Sequence, residues 1–141
     1  AIIEGMLVRL ASTTYVIPIA SIIESISMTK ARVSEIAPGA EVATIRNEPI
    51  PLIRLDRALG MERVGTSGEV AVIVENADRK KFILTVDEIL AKREVVIKPL
   101  GPTFKNIKGI SSGTVLSGGS IGLVLDVDQV VALAENQPGT S

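Results

Sequence analysis

The sequence predicts an all-β chain folded as two similar five-stranded barrels with short helical turns. Three observations predict this. Ile and Val together number 34 of 141 residues, whereas the aromatic residues are only Tyr15, Phe82 and Phe104. β-Branched side chains lose rotamer freedom in a helix and pack well on pleated, half-buried surfaces. The apolar runs are short and are punctuated by Gly, Pro, Asn and Asp clusters, the pattern of strands joined by turns. Finally, the chain repeats itself. Residues 15–23, which begin Tyr15-Val16-Ile17, line up with residues 82–90, which begin Phe82-Ile83-Leu84. Ile50-Pro51-Leu52-Ile53 lines up with Ile121-Gly122-Leu123-Val124. The order of hairpin, turn and terminal acidic cap is the same in both halves. Closing each half into a barrel would hide its strand edges.

The elements follow in order. Residues 2–10 read as a strand, 11–14 as a turn and 15–19 as the returning strand. Residues 21–28 continue as either a short helical turn or a strand, and 37–40 form a loop. Strands over 41–46 and 50–55 flank a turn at Arg46-Asn47-Glu48-Pro49. Residues 56–60 form one helical turn, with Asp56 as N-cap and Gly60 as stop. Residues 61–68 form a linker. A hairpin over 69–75 and 81–86 surrounds Asn76-Ala77-Asp78-Arg79. A strand over 94–97 is broken by Pro99, and 101–108 form a loop. A hairpin over 110–116 and 120–125 turns at Ser117-Gly118-Gly119. Residues 126–135 form a short helix capped by Asp126 or Asp128, and residues after 135 fray. The expected organisation is one domain over 1–141. Its halves are expected at about 10–65 and 66–130, with the strand over 1–10 open to being shared between them.

Composition narrows the chemistry. The chain has no His and no Cys, and its net charge is −1. Without His or Cys it lacks the commonest general base, the commonest metal ligand and any phosphorelay histidine of its own. Nucleic-acid binding calls for a basic face with stacking aromatics, and neither is present. No apolar run approaches the ~20 residues needed to span a bilayer. The start Ala1-Ile2-Ile3-Glu4-Gly5 is no signal peptide and already reads as a strand, so the expectation is a piece of a longer protein. The glycines 109, 113, 118, 119 and 122 sit between strands without a following Gly-Lys-Ser/Thr, which reads as a hairpin turn rather than a phosphate cradle. The acidic pairs Asp126/Asp128 and Asp87/Glu88 end strands, where capping explains them better than a metal does. Ser111 and Ser112 have no base to activate them. The basic run Arg79-Lys80-Lys81 reads as a solvated hairpin tip. No cofactor, metal or catalytic residue is expected.

The richest segment is Ile45-Arg46-Asn47-Glu48-Pro49-Ile50-Pro51-Leu52-Ile53-Arg54-Leu55. Asn47 tolerates the left-handed backbone that a tight turn requires. Pro49 and Pro51 cannot donate to a ladder, which places this strand at an edge for part of its length. An exposed edge bearing apolar side chains suits protein docking. Ile45, Arg46, Asn47, Glu48, Pro49, Ile50, Pro51 and Arg54 are therefore the candidate docking residues. Arg54 either spans outward or bridges the halves.

At this segment the chain resembles the CheW-like regulatory domain of CheA-type chemotaxis histidine kinases. Residues 45–55 are similar to that family's Val-Arg-Gly-Glu-x-Leu-Pro-Leu-x-Arg-Leu. Gly5-Met6-Leu7-Val8-Arg9 with Tyr15-Val16-Ile17-Pro18 resembles the family's opening. Val86-Asp87-Glu88-Ile89-Leu90, Val95-Val96-Ile97-Lys98, residues 109–116 and residues 121–127 match further family segments in order. Asn47 stands where Gly is usual, Ser117-Gly118-Gly119 replaces Gly-Asp-Gly, Ala91 stands for Gly and Pro99 for Ser. The resemblance implies a CheW-like fold of two SH3-like barrels, cytoplasmic and without an active site. It implies as partners the CheW adaptor, the cytoplasmic tips of chemoreceptors and a neighbouring kinase domain. A free-standing CheW-type adaptor is the alternative within the family, and a small-ligand sensor using the groove between the barrels is the alternative outside it.

Overall fold

The computed structural model describes residues 1–62, 69–99, 101 and 107–136. The core of the expected linker, most of the loop expected over 101–108 and the terminal residues from 137 on, among those expected to fray, lie outside the described residues.

The first half comprises β1 (Ile2–Leu10), β2 (Thr13–Pro18), β3 (Ile22–Ser27), β4 (Arg32–Ala37), β5 (Ala40–Ile45), β6 (Glu48–Arg54) and helix α1 (Leu55–Ala58). The second comprises β7 (Val70–Glu75), β8 (Lys81–Val86), β9 (Glu88–Val96), β10 (Ile110–Val115), β11 (Ile121–Leu125) and helix α2 (Val127–Glu135). The architecture is all-β with short helices, as the sequence predicts. Residues 21–28 are resolved as a 3-10 turn, Ile19–Ser21, followed by β3. α1 starts one residue before the expected Asp56, whose Oδ1 accepts from the Arg57 N–H inside the first turn. Gly60, at φ +76°, ends it as expected. Asp126 caps α2 by accepting from Gln129 N–H at 3.1 Å. Asp128 instead accepts from Ala77 N–H at 2.8 Å and ties the helix to the β7–β8 turn.

The strands form a five-stranded sheet, β10-β11-β2-β1-β9, and a six-stranded sheet, β3-β7-β8-β6-β5-β4. The sixth strand, β4, was not expected. All six of its residues are exposed, so its sequence lacks the alternation that burial imposes. β9 runs from Glu88, well before the expected start at residue 94, because its first half is also mostly exposed. A division of the chain at residues 65 and 66 does not describe the sheets. The hairpin β1–β2 fills the middle of the sheet completed by β9, β10 and β11, while β7–β8 fills the middle of the sheet formed by β3 to β6. Each half thus lends its first hairpin to the other.

Strands packed on both faces are apolar on both faces. On β1, Met6, Val8 and Leu10 point between the sheets, and Leu7 points the other way. On β8, Phe82, Leu84 and Val86 point between the sheets, and Ile83 points away. The largest core, shared by both sheets and both helices, lies between the halves. Each sheet also curls around a smaller core. Ile26 of β3 packs against the same cluster as Ala43 and Ile45 of β5, although these strands lie far apart in the sheet order.

The repeat is visible in the register. The parallel pair Leu52–Ile83 in one sheet corresponds to Val124–Val16 in the other. Ile50 is therefore the counterpart of Gly122, not of Ile121 as the sequence alignment has it. Strand residues alternate between faces, so a one-residue slip sets inward Ile50 against outward Ile121. A β-bulge also repeats, at Ile23 in β3 and Leu90 in β9, leaving an exposed aliphatic side chain each time.

Candidate protein-docking site

The β5–β6 hairpin carries all eight candidate residues. Ile45 pairs with Glu48, leaving Arg46 and Asn47 as a two-residue loop with φ of 47° and 69°. Two consecutive positive φ angles define a type I′ turn, whose twist matches that of the strands it joins. The turn is thus narrower than the sequence suggests, and Glu48 and Pro49 already belong to β6.

The prolines fit this register. In a two-residue hairpin the pair flanking the loop is hydrogen-bonded, and bonded and non-bonded pairs then alternate. Thr44–Pro49 and Val42–Pro51 fall on non-bonded positions, so both ring nitrogens face away from β5. On that outer side, β6 pairs with β8 only from Leu52 onward. Neither proline costs a ladder bond, and both lie on a half-edge. Pro49 and Pro51 are exposed, whereas Ile50 and Leu52 turn into the smaller core. A groove beside this half-edge is lined by Pro49 and Pro51 on one side and by Arg79, Lys80 and Lys81 on the other. The basic run read as a solvated tip therefore borders the candidate surface.

Ion pairs hold the hairpin in place. Arg46 Nη2 donates to Glu24 Oε2 on β3, joining the β5–β6 turn to the far edge strand of the curled sheet. Lys81 Nζ donates to Glu48 Oε1 at 3.2 Å. Arg54 grips Glu41 with two bonds, Nε to Oε1 at 2.8 Å and Nη2 to Oε2 at 3.0 Å. It neither points freely outward nor bridges the halves, because Glu41 lies on β5 of its own sheet. The hydrogen bond from Arg54 is the main reason the Glu41 carboxyl sits below its ordinary range, with burial opposing it. The same bond raises the guanidinium's pKa. Glu24, Glu41 and Lys81 were not legible as partners, since sequence spacing does not reveal which strands a curled sheet brings together.

Among the described residues, no three acidic side chains gather to hold a metal. No helix there is long and apolar enough to cross a membrane. The surface offers rigid backbone, exposed proline rings and paired charges, which suit contact with another protein.

Residues 4–135 match the model of the CheW-like domain. The chain is 39% identical over 138 residues to chemotaxis protein CheA of Treponema pallidum, covering 94% of this chain and 16% of that protein. It is 30% identical over 139 residues to chemotaxis protein CheA of Salmonella typhimurium, covering 97% and 21%. It is 32% identical over 138 residues to the sensor histidine kinase CheAY of Helicobacter pylori, covering 96% and 17%. The chain therefore spans about a fifth or less of the length of these relatives. Its fold is similar to the crystal structure of the scaffolding protein TtCheW from Thermoanaerobacter tengcongensis, with a TM-score of 0.76 and 18% identity, covering 89% of this chain and 90% of that one. With its SH3-like sheets and nearly its whole length matched, the chain belongs to the family of CheW-like domains.

Proposed function

We propose that this chain is the non-catalytic docking domain of a CheA-type chemotaxis histidine kinase, binding the CheW adaptor and coupling cytoplasmic chemoreceptor tips to a kinase domain elsewhere in the parent chain. The observation that carries this reading is its end-to-end similarity to a region of CheA proteins. The exposed β5–β6 hairpin supports it physically. Its prolines present apolar surface on a backbone that loses little freedom on binding. Affinity comes from Pro49, Pro51 and neighbouring aliphatic groups, while Arg46 and Glu48 keep the hairpin in its binding posture.

Calorimetric titration of the chain with the CheW adaptor from the same organism tests the proposal. Binding in the micromolar range is expected, near 8 kcal/mol of free energy. A Pro49→Ser, Pro51→Ser variant should bind at least several-fold more weakly. An absence of heat, with or without receptor cytoplasmic tips, contradicts the reading.

A further inference from the structure

The five-stranded sheet ends in β9 on one side and β10 on the other. These edges meet through one bridge, Lys98–Gly113, with reciprocal N–H to O bonds of 2.9 and 3.0 Å. Beyond the bridge lies a groove of ≈ 400 Å³ between the strands. Leu7, Val95 and Leu116 line its depth, and Val96 and Val115 stand at its rim. Cross-strand neighbours extend the rim: Ile2 is opposite Val96, and Ile121 is opposite Val115. These four β-branched side chains are 51–66% exposed. Exposed aliphatic side chains gathered on both sides of one groove mark a place where another molecule binds.

A second observation states the charge of that molecule. Glu4 lies directly opposite Glu94. Like charges at that distance destabilise a sheet. Both are exposed, and among the described residues neither side chain has an ion pair or hydrogen bond. Lys92 lies on the same face of β9, Arg93 lines the groove and Lys98 follows the strand, but among the described residues none of them closes an ion pair with either carboxylate. The two carboxylates sit on the same face as Ile2 and Val96, two residues along.

The third observation concerns the edge itself. Edge strands are normally blunted by bulges, prolines or charged side chains. The open part of β6 carries two prolines. β9 has its bulge at Leu90 and carries Lys92, Arg93 and Glu94, but from Ala91 to Val96 it has neither bulge nor proline to stop a ladder, and among the described residues it is laddered to β1 alone.

We infer that this edge accepts an extended segment of a protein partner, which adds as a strand along residues 91–96. On one face such a segment would send aliphatic side chains into the groove; on the other it would set an aliphatic side chain against Val96 and, two residues along, a Lys or Arg against Glu94 and Glu4. The site is on the other sheet from the β5–β6 hairpin and does not depend on its role.

The chain contains no Trp, so a Trp-labelled peptide reports its own binding. The probe is the eight-residue peptide Val-Lys-Val-Val-Val-Lys-Val-Val with one added terminal Trp, titrated by fluorescence; one face is all Val and the other alternates Lys and Val. Saturable binding is expected. N-methylation of alternate amides, which removes the ladder donors, should weaken it at least tenfold, as should replacing each Lys by Glu. Glu4→Gln with Glu94→Gln should weaken binding several-fold and flatten its salt dependence, while Glu94→Gln alone should raise the melting temperature. Val96→Ser with Val115→Ser should lose at least tenfold, and Pro49→Ser with Pro51→Ser should change nothing. No binding, equal binding by the N-methylated or Glu-bearing peptide, or tighter binding by a stapled helix of the same composition overturns the inference. So does insensitivity to the β9 and β10 substitutions.

Discussion

Arg54 shows how one side chain in the hairpin supports the fold rather than the surface. Its guanidinium meets Glu41 in the planar two-bond geometry that makes Arg–carboxylate pairs stronger than point contacts. The side chains are 34% and 18% exposed, so solvent weakens the pair but does not dissolve it. Glu41→Gln is expected to lower stability by about 1 kcal/mol at neutral pH. The pH dependence follows from the sign of the shift. The folded-state pKa of Glu41 is lowered from an ordinary value near 4.5. Its stabilisation is therefore complete above that value and is lost as pH falls through the folded-state value. Urea unfolding of wild type and Glu41→Gln should differ at pH 7 and converge at strongly acidic pH. A difference that persists unchanged in acid would mean the pair contributes packing rather than charge.

At the level of the element, the β5–β6 turn and the joint between the helices test different constraints. Asn47 at φ 69° occupies a conformation that a β-branched residue enters only with strain. Asn47→Val should cost about 1–2 kcal/mol, and Asn47→Gly should be neutral or slightly stabilising, because the turn type prefers Gly there. Thermal unfolding of the pair checks both signs. Gly109 combines φ +84° with a close neighbour. A Cβ there would lie 2.7 Å from Leu59 Cδ2 and 3.4 Å from Leu133 Cδ1, between α1 and α2. Gly109→Ala should lose about 1–3 kcal/mol by denaturant unfolding. Asn47 was readable in the sequence, because its residue type answers a local backbone need. Gly109 was readable only as a turn glycine, because the helix contact that crowds it depends on tertiary packing. β4 was unreadable for a different reason: nothing buries it, so no alternation marks it.

Across the whole molecule, the duplication was legible and the exchange between its halves was not. The matching segments 15–23 and 82–90 include the residues where the chain crosses from one sheet to the other, through Ile19–Ser21 and through Asp87. A continuous apolar run states that a hairpin is buried on both faces. It does not state which strands flank that hairpin, because an equivalent slot exists in either half. The consequence can be tested by cutting the chain between residues 65 and 66. Fragment 1–65 retains β3 and β6 but lacks β7–β8, which lies between them. Fragment 66–141 retains β9 and β11 but lacks β1–β2, which lies between those two. Each fragment alone would expose the central core that both sheets share, so neither should be a stable native-like monomer. Mixed at equal concentration, they should form a one-to-one complex with the far-ultraviolet dichroism of the intact chain, measured with light scattering after size exclusion. Either fragment alone should instead unfold or pair with itself by placing its own first hairpin in the equivalent slot of a second copy. A fragment that folds cooperatively as a monomer would show that the exchanged hairpins are dispensable, and that each half closes on its own strands.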